Sequence, residues 1–342
     1  MRKITILLAT VFIALTGYAQ ENRAVFLGDG LSDATAYEIR TPAQLARLAE
    51  MVNSGDAVAG GSYFKLTADI DLSSYGSRWN SGKGWIPIGT ASHSFSGHFN
   101  GANHTINGLY INDSELDFAG LFGVIIGGGT VQNLNVEVNI TGGNHVGGIT
   151  GGIGYYSGII NCSVTGNVSG GVSVGGVAGQ SSGTVTNCYA TSAVSGSDIV
   201  GGVVGSVSHN GIVTGCYAAG AVSGNFSVGG VAGHLYQSRI ENCAALNPSI
   251  TRLSGDYTNF GRVAGHNEEG TLAGNAARED MFIIDDISSN SDDSGLDGVS
   301  LSRDIIARDG TIGGRFTESN GWNIENGKLP ELIRQFSLRV EN

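Results

Sequence analysis

From Thr90 to Gly270 the chain alternates short β-branched runs with glycine-rich corners, and no helical spacing of apolar residues survives between them. The apolar positions recur. Phe118-Ala-Gly-Leu-Phe-Gly123, Val146-Gly-Gly-Ile-Thr-Gly151, Val174-Gly-Gly-Val-Ala-Gly179, Val200-Gly-Gly-Val-Val-Gly205, Val228-Gly-Gly-Val-Ala-Gly233 and Phe260-Gly-Arg-Val-Ala-Gly265 follow one another at steps of 26 to 32 residues. Phe95-Ser-Gly-His-Phe-Asn-Gly101 reads as a degenerate first member. A fixed period of this length means stacked coils, each burying its apolar side against its neighbours.

A second register runs through the same repeats: Gly108, Asn133, Asn161, Asn187, Gly215, Asn242 and Gly274. A column restricted to Gly and Asn is what a backbone position with positive φ selects, so it is a corner. The residues that follow it are Leu109, Leu134, Cys162, Cys188, Cys216, Cys243 and Asn275. Two places further come Ile111, Val136, Val164, Ala190, Ala218 and Ala245, all apolar; the residues between are Tyr110, Asn135, Ser163, Tyr189, Tyr217 and Ala244. By the period-2 rule the apolar set points in and the mixed set out. The pattern predicts an all-β chain, a parallel β-helix or β-solenoid of about seven coils. At about 4.8 Å per coil the rod is roughly 34 Å long.

Both flanks read as caps for the open ends of such a stack. Thr41-Pro-Ala-Gln44 carries a capping-box pattern with Pro at the first helical position, and Leu45, Leu48, Ala49 and Val52 continue as one apolar stripe. Trp322, Leu329, Pro330 and Leu332 suggest a C-terminal lid. The organisation predicted is a signal peptide over 1–19, an N-terminal capping region with a short helix over 20–89, solenoid repeats over 90–277, and an acidic loop with a C-terminal cap over 278–342. The leader rests on Arg2 and Lys3, an apolar stretch from Ile4 to Leu15 and the small-x-small site Gly17-Tyr-Ala19. It predicts export, and no later run is apolar enough to span a bilayer as a helix.

Charge narrows the partners. The net charge of −12 argues against nucleic acid or an anionic membrane, both of which need clustered Lys and Arg. Between Val138 and Gln237 the only Asp, Glu, Lys or Arg is Asp198. Catalysis by paired carboxylates on the shaft is thus not expected, and no enzymatic activity is predicted; the alternative is a polysaccharide lyase or glycoside hydrolase with its site on a cap. Tyr189 and Tyr217, in one outward column, read either as a recognition platform for a glycan or extracellular protein or as a ladder that steadies adjacent coils. The four cysteines stack in one line, so buried free thiols compete with bridges from Cys162 to Cys188 and from Cys216 to Cys243. No cofactor is expected beyond calcium at Asp285, Asp286, Asp292, Asp293 and Asp297, where a solvated acidic loop is the competing reading. His93, His98 and His104 match no standard metal-ligand spacing.

The Gly-Leu-Phe-Gly123, Gly-Ile-Thr-Gly151, Gly-Val-Ala-Gly179, Gly-Val-Val-Gly205 and Gly-Val-Ala-Gly233 tetrads, each followed by a Thr-Val-x-Asn-Cys-type strand, resemble the GLUG-motif repeats of exported bacterial proteins. Leu66-Thr-Ala-Asp-Ile-Asp-Leu72, Trp85-Ile-Pro-Ile-Gly89 and Asn323-Ile-Glu-Asn-Gly-Lys-Leu-Pro330 resemble the segments that flank such repeats. The resemblance implies a secreted or surface-associated, adhesin-like β-solenoid acting as a binding or structural module. It brings no catalytic site to transfer.

Overall fold

A computed structural model describes residues 26–56, 59–254, 259–283 and 295–333. The expected leader lies outside these residues, as do Asp285, Asp286, Asp292 and Asp293. The chain winds into a parallel β-solenoid of about eight turns. Two α-helices interrupt the described strands, α1 at Pro42–Asn53 and α2 at Arg303–Arg308. Each central turn visits three sheets, of twenty, six and five strands among the described residues. One turn, for example, contributes Asp198–Gly201 to the five-stranded sheet, Val204–Ser208 to the six-stranded sheet and Ile212–Thr214 to the largest.

The turns stack residue on residue. Val146, Val174, Val200, Val228 and Phe260 form one inward column, and Val131, Ile159, Val185, Val213, Ile240 and Leu272 another. All are buried, so the interior is a stack of apolar rungs that runs the length of the rod.

The first glycine of each tetrad is required by close approach rather than by φ. A Cβ on Gly148, Gly176, Gly202 or Gly230 would meet the carbonyl oxygen of the residue in register one turn on, at 2.7, 2.3, 2.1 and 2.2 Å. Arg262 occupies the same column in the last full turn, where the partial turn beyond it leaves room for a side chain.

The seven corner residues from Gly108 to Gly274 all have positive φ, between 51° and 68°. Six of them stack, but Gly108 does not belong to their line. The first turn carries extra residues at 101–104 and a bulge between Ile106 and Leu109, which set Leu109 beside Val138 and Ile111 beside Ile140. The register therefore corrects the expected placing of Leu109 ahead of Leu134. Phe118 is displaced as well: Ala119, not Phe118, bridges to Val146, and Phe118 stacks on His145 with ring centroids 4.7 Å apart.

Cys162, Cys188, Cys216 and Cys243 are free and fully buried. They contribute more than apolar bulk. Each sulfur lies within 3.6–3.8 Å of a carbonyl in the preceding turn, and the sulfurs of Cys216 and Cys243 accept the backbone N–H of Cys188 and Cys216. Asn275 ends the column with the same two bonds: its Oδ1 accepts from Cys243 N at 2.9 Å and its Nδ2 donates to Ile240 O at 2.8 Å. Burial pushes the thiols of Cys188, Cys216 and Cys243 well above their ordinary range, which keeps them protonated and unreactive.

The two ends close differently. Tyr37–Ile39 pairs in parallel with Tyr63–Leu66, which pairs with His98–Asn100, so the ladder already runs through the segment expected to precede the repeats. Leu27 covers the outer edge of Tyr37–Ile39 through an antiparallel bridge to Glu38. Thr41 caps α1 by accepting from Gln44 N, and the helix buries Leu45, Leu48, Ala49, Met51 and Val52 in the shared core. At the other end Val299–Leu301 adds a last rung on Ala276–Arg278. There Asp297 Oδ1 accepts from Arg262 N at 2.9 Å and faces the guanidinium, both side chains being buried. Asp297, the one expected calcium ligand among the described residues, thus closes the stack.

Candidate functional site

After α2 the chain turns back and lies along the side of the shaft as a strap. Three anchors hold it against the turns it crosses. Arg315 Nε donates to Gly274 O at 2.7 Å, Asn187 Nδ2 donates to Asn320 O at 2.7 Å, and Tyr217 Oη donates to Pro330 O at 2.8 Å. Trp322–Asn323 and Glu331–Leu332 pair as a short antiparallel ribbon within it.

The strap is seated on the outward column that contains Tyr189 and Tyr217. These rings stack face to face, with centroids 4.9 Å apart and planes 5° from parallel. Ala244 and Ala276 continue the column, and where the rings give way to methyl groups Phe316 and Trp322 fill the space. Phe316 and Trp322 meet edge to face, and both pack on Tyr217. Tyr217 is left 2% exposed and Tyr189 half-buried. The expected exposed platform is therefore corrected: the tyrosine pair is the floor of an internal interface. Burial holds the Tyr217 phenol far above its ordinary pKa, helped by Tyr189 and the Glu331 carboxylate.

Between the strap and the corner column lies a cleft of about 610 Å³. Thr186, Asn187, Thr214, Asn242, Arg315 and Trp322 supply its chemistry. Thr186 and Thr214 are in register on neighbouring turns, and Asn187 and Asn242 stand on the same corner line with Gly215 between them. The rung spacing thus presents hydroxyls and amides at multiples of about 4.8 Å along one wall. Trp322 is fully buried, and its indole N–H has no partner among the described residues. Among the described residues Arg315 is the one charged group in the lining.

Further up the corner line the amides bond to one another. Asn161 Nδ2 donates to Asn133 Oδ1, and Asn133 Nδ2 to Asn100 Oδ1, each at 3.2 Å. Asn187 leaves that ladder to hold the strap, and the Asn161 Oδ1 it would have satisfied is buried without a partner among the described residues. The cleft therefore begins where the amide ladder stops.

A second constellation went unread in the sequence. His234 and His266 follow Val231-Ala-Gly233 and Val263-Ala-Gly265, one residue past the end of successive tetrads, so the repeat itself carried the signal. They are in register on Ala232–Tyr236 and Ala264–Glu268, with rings stacked 5.2 Å apart, and Glu268 joins them from the same strand as His266. The three histidines considered earlier do not converge in this way. His98 Nδ1 is bonded to Thr130 Oγ1 at 2.9 Å and His104 Nδ1 to Asp69 Oδ1 at 3.1 Å, while the His93 ring lies against Gly55.

Comparison with known proteins agrees with this architecture. Residues 224–251, one full turn with its tetrad and its Asn242-Cys243 corner, match the GLUG motif. Over 142 residues the chain is 35% identical to a protein of Evansella cellulosilytica that carries the provisional name Gly-rich membrane protein. Over 134 residues it is 40% identical to halomucin of Haloquadratum walsbyi. These matches cover 40% and 38% of this chain but only 16% and 1% of the relatives' lengths. A solved structure from Bacteroides ovatus, provisionally described as an immunoglobulin A1 protease, superposes with a TM-score of 0.72 at 22% identity, over 90% of this chain and 95% of that one. This overturns the expectation that the chain has no enzymatic activity, because the same architecture is carried by a protein described as a protease. No helix among the described residues is long and apolar enough to cross a membrane. The chain carries a GLUG motif at residues 224–251 and folds as a parallel β-solenoid.

Proposed function

We propose that the chain is a surface-associated binding module that holds a glycan in the cleft between its corner column and its C-terminal strap. The carrying observation is the lining: hydroxyls and amides at rung spacing along one wall, with Arg315 and Asn320 of the strap on the other. Sugars are recognised by such groups, since amides, hydroxyls and a guanidinium bond the ring hydroxyls from both sides. A rigid wall with regular spacing suits an extended polymer, since successive residues of one chain meet equivalent groups. The volume is that of an ordinary ligand site. Surface association is supported by the similarity to a protein named as a Gly-rich membrane protein and by the predicted leader.

The positive φ at Asn242 gives a clean test, because Asn242→Gly deletes the amide without straining the backbone. The full chain is screened on a glycan array and the best ligand followed by calorimetry, with chromatography of the bound glycan to detect cleavage. Asn242→Gly combined with Thr214→Val is expected to weaken binding about tenfold, the loss of one or two net hydrogen bonds. Unchanged affinity in the double variant overturns the assignment of the cleft.

A further inference from the structure

We infer that His234, His266 and Glu268 form a zinc site that clips the last two full turns together. One ligand atom from each residue lies within 4.8 Å of the others, and His234 Nε2 stands 3.6 Å from Glu268 Oε2. A tetrahedral ion bound at 2.0–2.2 Å separates its ligands by about 3.3 Å. The His234–Glu268 pair is already near that value, and the remaining atoms lie within about 1.5 Å of it.

The backbone makes the arrangement repeatable rather than accidental. Parallel register places His266 directly beside His234, and Glu268, two residues on, points to the same side of the same strand. Ala264–Glu268 is the edge strand of the six-stranded sheet, so an ion reaching this face approaches from solvent. The His234 and Glu268 side chains keep 22% and 56% of their exposure.

The donor set selects the metal class. Two imidazole nitrogens with one carboxylate oxygen favour zinc and its first-row neighbours, whereas calcium and magnesium demand oxygen ligands. Three protein ligands leave a fourth position for water. Two ligands come from one turn and one from the turn before, so binding joins residues 32 apart in sequence.

The probe is Zn²⁺ itself, titrated calorimetrically into the full chain freed of metal by chelation, with Co²⁺ substitution as an optical readout of four-coordinate geometry. One equivalent is expected to bind, to raise the melting temperature, and to give intense Co²⁺ bands in the visible. His234→Ala and His266→Ala are each expected to lower affinity at least tenfold and to abolish the Co²⁺ bands, while His98→Ala leaves both unchanged. Glu268→Gln keeps size and removes the charge at an exposed position. It therefore reports on the site even if a histidine variant folds poorly, and it too is expected to lose about tenfold. Absence of Zn²⁺ binding by the folded wild-type chain, or full affinity in Glu268→Gln and in the His234→Ala/His266→Ala double variant, overturns the inference.

Discussion

At the N-terminal end the solenoid is closed by α1, which carries Leu45, Leu48, Met51 and Val52 into the core, and by Leu27 bridging the first strand edge. At the C-terminal end the last full turn buries Arg262 against Asp297 and finishes the thiol column with the amide of Asn275. One end relies on non-directional apolar burial, which tolerates small misfits. The other relies on groups that stabilise only when every partner is in place. The contrast matches what each end must do. The helix has only to cover a core, whereas the C-terminal end must also aim the chain back along the shaft toward Gly274 and Asn187.

Removing one partner of the buried pair has the largest expected effect. Asp297→Ala removes both the acceptor of the buried Arg262 N–H and the counter-charge facing its guanidinium, and is expected to cost about 3–5 kcal/mol. In hydrogen exchange the turns beyond Phe260 should lose protection while those around Asn133 to Val168 keep theirs. Leu48→Ala opens a cavity at the apolar end and should cost about 3 kcal/mol. Its loss of protection should be confined to the first turns. Uniform loss along the rod in both variants would abolish the distinction, since it would mean that the stack melts as one unit rather than turn by turn.

The smallest effect sharpens the comparison most. Asn275→Leu leaves the buried Cys243 N–H without an acceptor and should cost about 1–3 kcal/mol in denaturant melts. Asn275→Cys should recover most of that, because a sulfur accepts the same N–H in the two turns before it. Equal losses in both variants would show that the amide acts by shape alone.

Most of this architecture was legible because each turn repeats the chemistry of the last. The Gly/Asn column announced its corner, and Thr41 with the stripe from Leu45 announced α1. The first turn was misaligned, since a register read by residue type cannot see the extra residues at 101–104 or the bulge after Ile106. A second corner went unseen altogether. Phe118, His145, Ser173, Ile199 and Ser227 all have positive φ between 52° and 60°, with side chains that give no hint of it, Ile199 least of all. There the stacked backbone overrides the local preference. The strap was half legible: Trp322, Pro330 and Leu332 were read as a lid, but its seat on Tyr217 is a contact between residues more than a hundred positions apart, with no periodicity to betray it. The tyrosines looked like a platform because the column reveals which way a side chain points, not what later covers it.

The strap also acts as a gauge of length. Its anchors at Asn187 and Gly274 fix how many turns can lie between them, since one inserted repeat would move these contacts apart by a full rung. Duplication of a repeat there would unseat Phe316 and Trp322 from Tyr217. Among the described residues the three anchors fall on the turns of Asn187, Tyr217 and Gly274, none on a turn before Asn161. The N-terminal half is therefore where a lineage of this protein can grow or shrink by whole repeats, while the segment under the strap is held to a constant count.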